Sequence, residues 1–137
     1  MTRMTDQELI EQTLNALHGK EEEYRTTVFD RLFSTYPDVH RNFLGLEGSK
    51  VRMSNEVIEL MRGLASDADW VEMQTIDVID LHRSYGDFAL DQFFHFADFA
   101  VDSICKVTGA SAEQRAAWQR QADKLKPLIE QARPDWD

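Results

Sequence analysis

The stretch Val78–Phe88, VIDLHRSYGDF, sets one histidine inside an apolar, helix-like pattern and closes just past a glycine. Ile79, Val78, Thr75 and Val71 stand 3, 4, 7 and 11 residues before His82, the intervals of a single stripe along an α-helix. By this spacing the imidazole belongs to the apolar face of its helix. On the residues alone two readings stay open. His82 is a core histidine hydrogen-bonded to a backbone carbonyl or to a neighbour such as Tyr85, or it is a metal ligand, a role neutral imidazole fills more often than any other side chain. No cysteine, histidine or carboxylate stands at ligand spacing from it, which favours the core reading for a histidine taken alone. Ligation by a single histidine needs something else to fill the metal's remaining positions, and a porphyrin does so.

Outward from this helix, the rest of the chain also reads as helices. TDQE at Thr5–Glu8 has capping-box spacing and opens a helix carrying Leu9, Ile10, Leu14 and Leu17, with Gly19 at its end. Tyr24, Val28, Phe29, Leu32 and Phe33 mark a second helix, and Pro37 opens a short turn at PDVHRNF. LGLEGS, from Leu44 to Ser49, reads as a loop; a helix from about Ser49 to Leu64 then carries Met53, Val57, Ile58, Leu60, Met61 and Leu64. DWVE at Asp69–Glu72 is a cap for the helix that holds His82. After Gly86 a long helix runs through Leu90, Phe93, Phe94, Phe96, Ala97, Ala100, Val101 and Ile104 to Gly109. SAEQ at Ser111–Gln114 starts the last one, which directs Trp118, Leu125, Leu128 and Ile129 to the core and is expected to kink or shorten at Pro127. Six or seven helices and no sheet make the fold class all-α.

Composition narrows the function classes. The 137 residues suit one domain, 1–137, with a core large enough to need no disulfide or structural metal. The single cysteine, Cys105, excludes an internal disulfide and any multi-cysteine zinc site. A formal net charge of −10 argues against nucleic acid and anionic membranes as partners. Neither a signal-peptide core nor an apolar run of membrane-spanning length is present, so the expected location is the cytoplasm.

The order of elements resembles the globin fold, most closely a single-domain bacterial globin, over nearly the whole chain. YPDVHRNF resembles the globin corner, in which a proline opens a short helix and an aromatic six residues on, Phe43, packs flat on the haem. LHRSYG resembles the proximal segment, with His82 as the iron ligand and Gly86 at the turn. The interval of 39 residues from Phe43 to His82 suits a globin with a short loop in place of one small helix.

The resemblance implies haem b (iron protoporphyrin IX) in a pocket enclosed by the helices. It places Phe29 above the bound ligand, Phe43 on the porphyrin, Met53 at the position usually held by histidine or glutamine, and Val57 one turn on, over the iron. Shifting the register of that helix puts Lys50 there instead. Val78 and Leu81, Phe88, and Phe93 or Phe96 line the remaining walls, and Lys50, Arg52 and Arg83 are placed to reach the haem edge. His18 and His40 read as surface residues, and His95 as half-buried.

The implied function is reversible binding of a diatomic gas (O₂, CO or NO) for storage, sensing or detoxification. Phe29, Met53 and Val57 offer no hydrogen-bond donor, which predicts weak O₂ binding with CO and NO less affected. Alternatively the Met53 sulfur is a second axial ligand, as in electron-transfer haems. Catalytic oxidation of nitric oxide, or peroxidase turnover, would need an external reductase, because the chain carries no flavin or nicotinamide module. A haem-free globin-like domain for sensing or protein interaction is the rival reading. No catalytic triad or paired-carboxylate motif stands out.

Overall fold

In the computed structural model, residues 3–40, 47–82 and 89–132 are described, the side chains of Leu81 and His82 excepted. They form seven helices and no strand: α1 (Asp6–Leu17), α2 (Glu21–Thr35), α3 (Pro37–His40), α4 (Glu47–Ala65), α5 (Val71–His82), α6 (Leu90–Thr108) and α7 (Ala112–Gln131). The all-α class follows directly from the sequence pattern.

Local chemistry sets most of the boundaries. The Thr5 side chain accepts from the Glu8 amide at 3.2 Å, while the Glu8 carboxylate accepts from the Thr5 amide at 3.1 Å, so the box satisfies two otherwise orphan donors at the start of α1. Ser111 and Gln114 do the same for α7 at 3.1 and 2.8 Å. Gly109 ends α6 in the left-handed region at φ +67°, and the Ala110 amide then reaches back to the Cys105 carbonyl.

Three boundaries differ from the sequence reading. Glu47–Ser49 are helical, so α4 begins two residues before the expected Ser49, while Leu44–Leu46 of that expected loop lie outside the described residues. α5 begins at Val71, with the Trp70 carbonyl accepting from the Gln74 amide. Pro127 does not end α7, which continues to Gln131: the ring forgoes one backbone bond, while Leu125 and Ile129 on either side stay buried and hold the helix to the core.

α6 runs through the centre, packed against α7, α2, α1 and α4, and α7 also reaches α1, α4 and α5. Ala97, Ala100, Val101 and Ile104 of α6 meet Ala117, Trp118, Ala122 and Leu125 of α7 in the fully enclosed part of the core. Alanines at these positions let the two helices approach closely. Cys105 is buried beside them, and burial pushes its thiol pKa up.

Polar ties fix how the helices sit. The buried Tyr24 hydroxyl donates to the Ser54 carbonyl at 3.0 Å, joining α2 to α4, and burial raises the phenol well above its ordinary pKa. Arg62 grips Glu11 through two nitrogens at 2.5 and 3.0 Å, joining α4 to α1. Asp6 accepts from Arg120 twice and from Gln121 once, joining α1 to α7.

One close approach sets the corner between α4 and α5. A Cβ on Gly63 would lie 2.6 Å from Val71 Cγ2 and 2.8 Å from the Trp70 ring. The chain leaves α4 there through Asp67 at φ +54°, with the Ala68 amide bonded to the Gly63 carbonyl at 2.9 Å.

Candidate functional site

α4, α5 and α6 converge on an apolar cavity of about 90 Å³. The stripe that opened the sequence reading forms its α5 wall. Val71, Thr75 and Ile79 are buried, and Thr75, Val78 and Ile79 line the space. Thr75 brings a hydroxyl to this wall but donates it to the Val71 carbonyl at 2.8 Å, so its hydrogen is already committed. His82 is the last residue of α5, one turn beyond Val78 and Ile79; its side chain lies outside the description.

The opposite wall belongs to α4. Met53, Glu56, Val57 and Leu60 follow one another at helical spacing and line the cavity together. Phe93, Phe96 and Ala97 of α6 supply the third side, with Gln92 beside them and its side-chain oxygen held by the Ala89 amide. Leu32, Val39, Leu125 and Ile129 complete the enclosure.

Five of the twelve residues that the sequence reading set around the cofactor thus meet in one space: Met53, Val57, Val78, Phe93 and Phe96. Phe29 does not line it. That side chain is buried one layer back, its ring 5.7 Å from Phe96 and 5.6 Å from Phe33. Leu32, one turn later on α2, takes the position at the cavity.

Lys50 also lies elsewhere. It lines a separate, polar cleft between α2 and α4 together with Phe29, Phe33 and His40, pairs with Glu47 at 3.0 Å and sits 5.5 Å from the Phe33 ring. Met53 of α4 thus lines the apolar cavity and Lys50 does not. Arg52 is exposed. Phe43, Arg83 and Phe88 lie outside the described residues, as does the side chain of Leu81.

His95 is more exposed than its phenylalanine neighbours suggest, because its position on α6 faces the end of α2. There its Nδ1 hydrogen-bonds to the Tyr36 hydroxyl and its ring stacks on Phe99. Burial, then the nearby Asp91 carboxylate, raises the Tyr36 pKa. His18 and His40 are exposed, in line with their surface reading.

Sequence reasoning missed Glu56. Acids on amphipathic helices usually face water, yet residue 56 falls three after Met53 and one before Val57, at the edge of the inward stripe. That spacing was the available signal. Among the described residues, Glu56 is the one charged side chain lining the cavity, it is half-buried, and it makes no hydrogen bond or ion pair there.

Chemically the walls are mostly aliphatic and aromatic side chains with a thioether and a hydroxyl already spent, together with the Glu56 carboxylate and the Gln92 amide. Space is the constraint. About 90 Å³ falls below the roughly 300–1,000 Å³ of ordinary small-molecule pockets, so a porphyrin needs the walls to part. Met53, Phe93 and Phe96 on these walls are only partly buried. Among the described residues no three histidines, cysteines or carboxylates cluster as a metal site, and no helix is long and apolar enough to cross a membrane. Compared with models of known protein families and with curated proteins, the chain matches none.

Proposed function

We propose that the chain is a globin-like protein that holds haem b between α4 and α5 and binds a diatomic gas at its iron, with His82 as the protein ligand. One observation carries this: Met53, Val57, Val78, Phe93 and Phe96, named from the sequence as cofactor-lining, converge on one apolar cavity bordered by the last turns of the helix that ends at His82.

Haem, when bound, supplies the coordination position for the gas. The chain's part is to keep that position dry and to withhold a donor. On the α4 and α5 walls Met53 and Val57 offer none, and the Thr75 hydrogen is already given to Val71. A missing hydrogen bond to a polarised ligand costs about 1.5–3 kcal/mol, on the order of ten- to a hundredfold in affinity. O₂ is therefore released readily, while CO and NO, which draw less on such a donor, lose less. Any catalytic turnover draws its electrons from a separate reductase.

The experiment is a hemin titration of the purified chain beside His82→Ala, read in the visible spectrum before and after reduction and CO. A Soret band that shifts with CO in the wild type and is lost or displaced in His82→Ala is the expected result. A wild-type protein that stays colourless overturns the proposal.

A second reading is favoured by the cavity's small volume and by the Phe29 ring packed against Phe96, with Phe33 next to Phe29. In that reading the space is closed by the protein's own side chains and the domain works without haem, as a sensing or interaction module. A colourless protein in the same titration selects it.

A further inference from the structure

α5 turns Val71, Thr75 and Ile79 to the core and leaves its other side uncovered. On that side Met73 is 63% exposed and Trp70, at the entry to the helix, 44%; they are two of the three exposed large apolar side chains among the described residues. Three residues apart, they are neighbours on one helical turn. Trp70 is also held in place, because the edge of its ring rests over Gly63 of α4. A fixed aromatic beside an adaptable thioether is a pairing that anchors protein interfaces.

The charge around them has one sign. From Gly63 to His82 the chain carries five carboxylates and no lysine or arginine. All five, Asp67, Asp69, Glu72, Asp77 and Asp80, are exposed, and none makes a hydrogen bond or ion pair through its side chain. Elsewhere Asp6, Glu11, Asp98 and Asp102 each pair with a cation of another helix. Asp69 and Glu72 suit the positive N-terminal end of α5. Asp77 and Asp80 do not: Asp80 lies in the last turn, at the negative end of the helix, and three residues from a like charge. Both features cost helix stability, so the fold alone does not account for them.

We propose that this face of α5 docks a basic amphipathic helix of another protein, whose apolar stripe covers Trp70 and Met73 while its lysines or arginines meet Asp77 and Asp80. These four residues follow at intervals of 3, 4 and 3, one row along α5, which is the pitch a second helix packs against. A second copy of this chain would bring another body of charge −10 against the acids, and nucleic acid or an anionic membrane would meet the same repulsion. None of these side chains lines the cavity between α4, α5 and α6, so the interface is independent of what that cavity holds.

The test titrates the full chain into two dye-labelled synthetic helices of about five turns, read by fluorescence anisotropy. Both carry leucines along one stripe; lysines flank the stripe in one and glutamates in the other. The lysine helix is expected to bind, less tightly as salt rises, and the glutamate helix not to bind. Met73→Ser and the pair Asp77→Asn with Asp80→Asn each weaken binding by about three- to tenfold, and the pair also flattens the salt response. Asp30→Asn with Glu130→Gln, which removes two exposed charges from α2 and α7, changes it by less than about twofold. Circular dichroism checks that each variant is as helical as the parent. Equal weakening by the two charge pairs reduces the attraction to net charge and overturns the proposal, as does a Met73→Ser chain that binds like wild type or a lysine helix that does not bind. A wild-type chain that sediments as a dimer, and as a monomer after Met73→Ser, overturns it in favour of a second copy.

Discussion

Met53 meets the cavity with a thioether, and replacing it by a donor should change how a ligand is held. Met53→Gln puts an amide N–H within reach of a polarised ligand at little change in volume, so O₂ dissociation from the reduced, haem-loaded protein is expected to slow by about ten- to a hundredfold. CO dissociation should change much less, and flash photolysis with stopped-flow mixing reads both. At this scale the sequence was legible where helical period alone decides orientation: Met53, Val57 and Val78 each fall on the inward stripe of their own helix. It was not legible at Phe29. Phe29 and Leu32 stand one turn apart on the same face of α2, and only the crossing of α2 over α6 puts Leu32 at the cavity and Phe29 behind Phe96. Glu56 escaped for a related reason, since the edge of a stripe is resolved only when the facing helices are in place.

At the scale of elements, the α4–α5 corner leaves no room for a side chain at Gly63. Val71 and the Trp70 ring occupy the space a side chain at Gly63 would need. Gly63→Ala should therefore destabilise the fold by about 1–3 kcal/mol through overpacking, despite the roughly 1 kcal/mol that alanine gains over glycine in a helix interior. A lowered urea midpoint with an unchanged m-value is the expected signature. The joint also sets where α5 starts, hence the height at which its inner face meets the cavity. Element starts were readable because caps are local: Thr5 with Glu8, and Ser111 with Gln114, are chemistry within four residues. Of the two effects expected of Pro127, a kink or a shortened helix, shortening does not occur, because Leu125 and Ile129 on either side of it stay buried.

Across the whole molecule, α1 is held to α7 by Asp6, which accepts from Arg120 and from the buried Gln121 across separations of 114 and 115 residues. No sequence pattern reports such a pairing, since it exists only once the helices are assembled; the all-α class, by contrast, follows from period and capping alone. The Arg120 guanidinium beside it holds the Asp6 carboxyl below the usual carboxylate range, with Gln121 adding to the effect. A carboxyl whose folded pKa is depressed stabilises the fold fully above its unfolded value, about 3.9, and loses that contribution as pH falls through the folded value. Asp6→Asn should thus lower stability at neutral pH by about 1 kcal/mol. It should also flatten the decline of stability below about pH 4, measured as urea midpoints across the acid range.

The thiol of Cys105 has a consequence of its own. With no second cysteine in the chain, it has no internal partner for a disulfide, and its burial on the last turn of α6 keeps alkylating reagents away while the helices stay docked. Modification then proceeds through molecules that have opened at the C-terminal end of α6, so the labelling rate is a built-in clock for that opening, readable by mass without adding any probe.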